Sequence, residues 1–292
     1  MDLRTFADAV GTEGSVTIVG GRTQWGVGGC VDPAAREVRA PSGIVEFEPA
    51  EMTVRCGAGT RVAELNEALG AHGQCVALPA PQGATVGGVL AVGRSGIRRL
   101  RLGPVRDVLL EARYVSAEGR VIKAGGPTVK NVSGFDLCRL LVGSLGTLGF
   151  LAEVVLRCRP VPAASRWFAG ETEPFDLLHR LYQPSSILWD GATTWLLLEG
   201  HPADVEVQGR LAGLAEAHGP PPLPTGGRLS MRPSALRTLA GTFVAEIGVG
   251  VVHTAEPAPA RSTSPGVAQL NRRLKQSFDP TGRLNPGRQV AA

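Results

Sequence analysis

The sequence predicts an α+β fold in two lobes. Short alternating strand patterns, joined by tight turns and single helices, fill the first 160 residues; the texture changes after Pro160; and a connector rich in Pro, Ala and Ser precedes one last amphipathic helix. A chain of 292 residues with 43% hydrophobic content is long enough to bury at least one large core. The boundaries read as 1–160 for the first lobe, itself divided at about 1–80 and 81–160, then 161–260 for a smaller lobe. Residues 261–292 read as a helix and turn returning to the first lobe.

The stretch SVTIVGGRTQWGVGG starts with a β-branched run, Val16 to Val19, and breaks into glycines, so it reads as a strand feeding a glycine-rich loop. GIVEFEP and MTVRCGAG alternate apolar and polar residues and read as two further strands. Thr60 is the expected N-cap of a helix through Leu69, in which Val62, Leu65 and Leu69 share a face and Gly70 and Gly73 end the element. DVLLEARYVSAEGRVIKAGG reads as a hairpin turning at Ala117 to Gly119, and TLGFLAEVVLRCRP as a strand ended by Pro160. In the second lobe strand-like and helix-like segments alternate: SRWFAG, EPFDLLHRLYQ, TTWLLLEG, ADVEVQGRLAGLAEAHG, GRLSMRP and TFVAEIGVGVVH. The last helix is expected to carry Val267, Leu270, Leu274 and Phe278 on one face.

Composition narrows the function classes. The N-terminal MDLRTFADAV mixes charge with apolar residues, and no stretch reaches about 18 uninterrupted apolar residues, so neither a signal peptide nor a membrane span is expected. Five widely spaced cysteines without a C-x-x-C pair read as reduced core thiols of a cytoplasmic protein, with no metal site. A net charge of +4, almost all arginine and without aromatic interleaving, gives no support to nucleic-acid binding.

Three segments concentrate glycine: Val19 to Gly29, Gly83 to Gly96 (within PQGATVGGVLAVGRSG), and GSLGTLG at 143–149. Glycines interleaved with Val, Leu and Ala instead of Ser and Lys suggest backbone approached by a ligand, not a flexible linker. Main-chain N–H groups outside a ladder form anion sites, which makes a diphosphate a natural guest. GSLGTLG precedes a strand and so lacks the Rossmann context, and no G-x-x-x-x-G-K-[ST] is present.

The loop IVGGRTQWGVGG, T-V-G-G at Thr85 to Gly88, the hairpin, K-N-V-S-G-F-D-L at 130–137, GSLGTLG and the terminal F-D-P-x-G-x-L-N-P-G-R together resemble the vanillyl-alcohol oxidase (p-cresol methylhydroxylase, PCMH) type of FAD-binding flavoprotein. Within that type they are most similar to FAD-binding subunits of bacterial glycolate oxidases. The resemblance implies a two-subdomain PCMH-type FAD-binding domain with a small α/β, ferredoxin-like cap. It implies FAD held by Gly20, Gly21, Arg22, Thr23 and Gln24 at the pyrophosphate, by Thr85, Val86, Gly87, Gly88, Gly93, Ser95 and Gly96 along the diphosphate and the isoalloxazine edge, and by Asp136, Gly146, Thr147 and Asn285 around the rest of the cofactor. The same positions have structural alternatives: Gly143 and Gly146 as turn residues, Asp136 as a helix cap, Asn285 before Pro286 as a turn former. No His or Cys falls where relatives attach the flavin, so the FAD is expected to be non-covalent.

Hydroxy-acid oxidation needs a base, a hydride path and a cation for the carboxylate. Related dehydrogenases carry G-H-x-G-D-G-N-x-H in the cap; here AEIGVGVVH keeps Gly248, Gly250 and His253 but has Glu246, Val249 and Val251 at the other ligand positions, and the companion E-H-G is absent. His253 is the one candidate base, with a hydrogen-bonded structural histidine as the plainer alternative. Arg94, Arg98 and Arg99 are candidates for a substrate carboxylate or for a basic rim facing a partner. Two readings remain open. One is an FAD-dependent oxidoreductase subunit passing electrons from a 2-hydroxy acid such as glycolate to a partner, in a cytoplasmic or peripherally membrane-bound complex with a second flavoprotein and an iron–sulfur subunit. The other is a non-catalytic FAD-binding or scaffold subunit. A flavin reductase of cell-wall sugar synthesis is a third, disfavoured by K-N-V-S-G-F-D-L.

Overall fold

The computed structural model describes residues 2–126, 136–259 and 263–289. In chain order the elements are α1 (Leu3–Val10), β1 (Val16–Ile18), β2 (Arg36–Val38), β3 (Ile44–Glu48), β4 (Thr53–Gly57), α2 (Val62–Gly70), β5 (Gln74–Val76), α3 (Val86–Val92), α4 (Arg99–Leu102), β6 (Leu109–Val115), β7 (Val121–Gly125), α5 (Leu137–Leu141) and β8 (Phe150–Pro160). They continue as β9 (Ala164–Gly170), α6 (Pro174–Arg180), β10 (Ser186–Trp189), β11 (Thr194–Gly200), α7 (Pro202–Ala212), β12 (Ala215–Ala217), β13 (Gly227–Ser230), β14 (Phe243–Glu246), β15 (Val251–Thr254) and α8 (Pro265–Phe278). The chain divides into two compact units: Met1–Ser95, Pro104–Val161 and Arg261–Ala292 in the first, Gly96–Gly103 and Pro162–Ala260 in the second.

The first unit holds a parallel pair, β1 and β2, and a six-stranded antiparallel sheet ordered β3-β4-β8-β6-β7, with β5 on the far end of β8. Strand β8 runs centrally for 11 residues and is buried on both faces for most of its length, hence its near-continuous apolar sequence. One face packs Val154, Leu156 and Cys158 against Leu65, Leu69 and Val89 of the helices. The other carries a charge network: Arg55 donates to Glu111 (2.9 Å) and Glu153 (3.3 Å), while Lys123 lies 3.1 Å from Glu111 and Arg113 3.4 Å from Glu153. A second cluster joins both ends of the chain, with Phe6 and Val10 of α1 packed among Val16, Val38, Phe150 and Leu284.

Several elements differ from the sequence reading. Helix α1 was not foreseen; Asp2 caps it, accepting from the Arg4 N–H. Helix α2 has Arg61, not Thr60, at its N-cap, because the Thr60 hydroxyl accepts from the Gly43 N–H (2.9 Å). The second glycine segment is in large part a helix, α3: Thr85 Oγ1 caps it through the Gly88 N–H, Val86, Val89 and Leu90 bury its apolar face, and Gly93 ends it in the left-handed conformation. On α8, Phe278 packs against the main core whereas Val267 and Leu270 stay exposed.

In the second unit β9-α6-β10-β11-α7-β12 forms a ferredoxin-like βαββαβ, its strands lying in the order β12-β9-β11-β10. Beyond β10 the antiparallel sheet adds β14, β15 and β13. TFVAEIGVGVVH is two strands, folded back at Ile247 to Gly250, where Gly248 (φ +77°) and Gly250 (φ +82°) take conformations a side chain would strain. Gly209 lets α7 close on Phe168, whose ring leaves no room for a Cβ there. No helix among the described residues is long and apolar enough to cross a membrane.

Candidate functional site

A cleft in the first unit opens where three glycine-bearing pieces meet: the loop after β1, the N-terminal turn of α3 and the loop before β8. The loop after β1 leaves the ladder at Val19, whose N–H goes to the Val38 carbonyl, and returns to ordinary turns from Trp25 onward. In between, the main-chain N–H groups of Gly20, Gly21, Arg22, Thr23 and Gln24 donate to no described residue. Five successive N–H donors without a described acceptor beside a cleft are available to an anion. The loop takes this path because its glycines sit against the neighbouring chain: a Cβ on Gly20 would overlap the Thr85 hydroxyl, and one on Gly21 the Gly83 carbonyl oxygen.

The floor is built by long-range pairing. Leu90 and Ala91 of α3 accept from the N–H groups of Gly143 (2.9 Å) and Leu145 (2.8 Å), which docks the loop 143–149 on the end of that helix. Asn285, buried at 5% exposure, accepts from Thr17 Oγ1 (2.8 Å) and the Ile18 N–H (2.9 Å) and donates to the Leu145 carbonyl. Of the five non-glycine residues with positive φ among the described residues, three line the cleft: Arg22 (55°), Leu145 (54°) and Asn285 (45°). Strain of that kind gathers where surrounding structure holds the backbone for function.

Ten of the residues predicted for cofactor binding line this cleft: Gly20, Gly21, Arg22, Thr23, Gln24, Thr85, Gly87, Gly88, Gly146 and Asn285. Six do not, and each has another place. Val86 is buried and its N–H goes to the Thr60 carbonyl. Gly93 caps α3 and abuts Gly143, Ser95 accepts from the Val105 N–H (3.1 Å), and Gly96 clusters with the second unit. Asp136 caps α5 through the Arg139 N–H and pairs with the Arg139 guanidinium (3.0 Å); Thr147 turns its hydroxyl to the Ser144 carbonyl (2.8 Å). Gly87 has no positive φ; its constraint is Ala58, whose Cβ and carbonyl oxygen would lie 2.9 Å from an added Cβ. Of K-N-V-S-G-F-D-L, residues 130–135 lie outside the described residues.

Sequence reasoning missed Trp25, Leu145 and Arg288, all of which line the cleft. Trp25 is flanked by two guanidinium groups, Arg22 at 5.0 Å and Arg288 at 4.7 Å from the ring centre. The available signals were the lone tryptophan inside a glycine loop and the arginine that ends N-P-G-R.

The predicted base lies in the second unit, on β15. His253 Nε2 is 2.9 Å from Glu246 Oε1; Glu246 is 2% exposed and its other carboxylate oxygen is buried without a partner among the described residues. No group of three or more His, Cys, Asp or Glu among the described residues is placed to hold a metal ion. Of the candidate carboxylate binders, Arg98 pairs with Glu199 (3.0 Å) inside the second unit. Arg94 has no ion pair among the described residues, and partial burial lowers its guanidinium pKa.

The fit to a dinucleotide rests on these features: N–H donors without a described acceptor, glycines at 20 and 21 where a Cβ would strike Thr85 and Gly83, and a lining with arginines and no carboxylate among the described residues. Comparison with known proteins agrees. A family model described as FAD binding domain matches residues 4–125, and one described as FAD linked oxidases, C-terminal domain, matches residues 234–289. The glycolate oxidase subunit GlcE of Escherichia coli is 31% identical over 227 residues, covering 74% of this chain and 65% of that protein. The D-lactate dehydrogenase of Archaeoglobus fulgidus is 42% identical over 106 residues, 36% of this chain and 24% of its own length. The glycolate oxidase subunit GlcD of Bacillus subtilis is 37% identical over 93 residues, covering 32% and 20% respectively. The chain thus spans less than two thirds of each of these relatives. Among solved structures, alkyldihydroxyacetonephosphate synthase superposes on 93% of this chain and 71% of its own with a TM-score of 0.66 at 16% identity, a likeness of fold.

Proposed function

We propose that this chain, which matches the FAD binding domain over residues 4–125 and the C-terminal domain of FAD linked oxidases over residues 234–289, is the FAD-binding subunit of a 2-hydroxy-acid oxidase complex, passing electrons from glycolate or a similar acid to a partner. The observation that carries this reading is the run of five free main-chain N–H groups at Gly20 to Gln24 on a cleft without carboxylates among the described residues. The names of the relatives, two glycolate oxidase subunits and a D-lactate dehydrogenase, support the substrate class.

FAD, when bound, supplies the acceptor for the hydride from C2 of the acid, and the hydroxyl proton goes to a base. In this chain the amides of Gly20 to Gln24 would hold the diphosphate, and Asn285 fixes the loop that forms the floor. His253, whose Nε2 is held by the Glu246 carboxylate and whose Nδ1 is therefore the nitrogen left to accept a proton, is the candidate base, and Arg94 is the candidate carboxylate binder. The partners consistent with this reading are a second flavoprotein and an iron–sulfur subunit, in the cytoplasm or on the inner face of the membrane.

A second reading keeps FAD binding and moves the chemistry to the partner. The closed Glu246–His253 pair and the lack of a metal-ligand group among the described residues favour it. An absorption spectrum between about 300 and 550 nm, repeated after anaerobic glycolate, separates the two, because reduction bleaches flavin bands. Bleaching in the isolated chain supports the first reading; bands that persist support the second. Absence of bands even after FAD is added would overturn both. The first reading expects bleaching, and the second expects little or none in the isolated chain, with activity recovered in the complex.

A further inference from the structure

The cleft lining contains two formally charged side chains among the described residues, Arg22 and Arg288, and no carboxylate. They are not equivalent. Arg22 is paired with Glu37, and both of these side chains are about half exposed, so its charge is already balanced and open to solvent screening. Arg288 has no carboxylate partner among the described residues. Its Nη1 donates to the Val27 carbonyl (2.8 Å) and to the Gly29 carbonyl, leaving Nε and Nη2 without described acceptors. Partial burial lowers its pKa, as expected for a cation that lacks a counter-charge.

A diphosphate diester carries about two negative charges at neutral pH, and free amides offer only partial positive charge, so a partly buried guanidinium beside them is the strong complement. Arg288 is so placed: it is tied to the far arm of the same loop whose near arm presents the amides, and it lies over Trp25.

We propose that Arg288 is the counter-ion of the dinucleotide diphosphate, carried into the cleft by the C-terminal turn that Asn285 and Arg288 share. This rests on the FAD reading above. The two carbonyl bonds also suggest a plainer role, stapling the loop, and the test must tell them apart.

The full-length chain would be freed of flavin, and the FAD dissociation constant and the melting temperature with and without FAD measured for wild type, Arg288→Gln and Arg288→Lys. Glutamine can still donate to a carbonyl but has no charge, whereas lysine keeps the charge. The expected result is that Arg288→Gln weakens FAD binding by about tenfold or more and flattens its salt dependence. Its flavin-free melting temperature should stay within about 2 °C of wild type, and Arg288→Lys should recover part of the affinity. FAD affinity within about twofold of wild type in Arg288→Gln would overturn the proposal. So would a flavin-free protein that melts several degrees lower with its salt dependence unchanged, the mark of a staple. Failure of the wild type itself to bind FAD would instead sink the FAD reading, and this proposal with it.

Discussion

Asn285 accepts hydrogen bonds from Thr17 Oγ1 and the Ile18 N–H with one side-chain oxygen, joining positions 268 and 267 apart in sequence, while its amide nitrogen donates to Leu145. One buried amide thus holds the first strand, the C-terminal turn and the loop before β8 in register. Asn285, expected beside the flavin, lines the cleft while its side chain is hydrogen-bonded to protein through both its oxygen and its nitrogen.

Asn285→Ala should therefore act first on stability. It leaves the Thr17 hydroxyl and the Ile18 N–H without their acceptor and places alanine at φ 45°, at a cost of about 2–4 kcal/mol. Asn285→Gly relieves the backbone strain but not the lost bonds, so it should fall between wild type and alanine. Urea unfolding of the three proteins would check the order, and equal midpoints would contradict it.

Gly21→Ala should abolish FAD retention with the fold kept, because the added methyl overlaps the Gly83 carbonyl oxygen and forces the loop away from α3. The check is the flavin-to-protein absorbance ratio after gel filtration, alongside a circular dichroism spectrum. Gly26→Ala, where an added Cβ meets nothing within 4 Å, is the control and should retain more flavin.

The Glu111 network should give an acid limb to stability. Burial raises the carboxyl pKa, but hydrogen bonds from Arg55 and Lys123 outweigh it, and the net effect is a value below the usual 4.5. A depressed folded pKa means the stabilisation is complete above the unfolded value and is lost as pH falls through the folded one. Glu111→Gln should be less stable than wild type at pH 7 by about 1–3 kcal/mol, with the gap narrowing below pH 4.5. A gap that stays constant down to the lowest pH at which both proteins fold would refute this.

Four of the five cysteines should react in two classes. Burial pushes the thiols of Cys56 up to about 12, and of Cys138 and Cys158 to about 11, whereas Cys30 is exposed. A thiol reagent at about pH 8 should modify Cys30 rapidly and those three only on unfolding. Mass spectrometry of timed samples would show it, and Cys30→Ser should remove the fast phase.

Much of the fold was legible because its signals are local. Val62, Leu65 and Leu69 at helical spacing, the hairpin around Ala117 to Gly119 and the apolar run of β8 each declare an element within a dozen residues. Helix α1 was missed, its apolar Phe6, Ala7 and Val10 too few to outweigh the mixed charge around them. Helix α3 was obscured by glycines that are there for close approach to Ala58 and for the cap at Gly93.

The site divides in the same way. The sequence alone identified where bare backbone would gather, since glycine content and order are local properties of the chain. Only the tertiary structure decided which of those residues share a cleft, that Gly96 clusters with the other unit, that Asn285 is a clip, and that Arg288 lies beside Trp25 with no carboxylate partner among the described residues. Those outcomes depend on contacts between residues up to 268 positions apart, and no local pattern records whether a distant carbonyl or carboxylate will arrive to claim a donor.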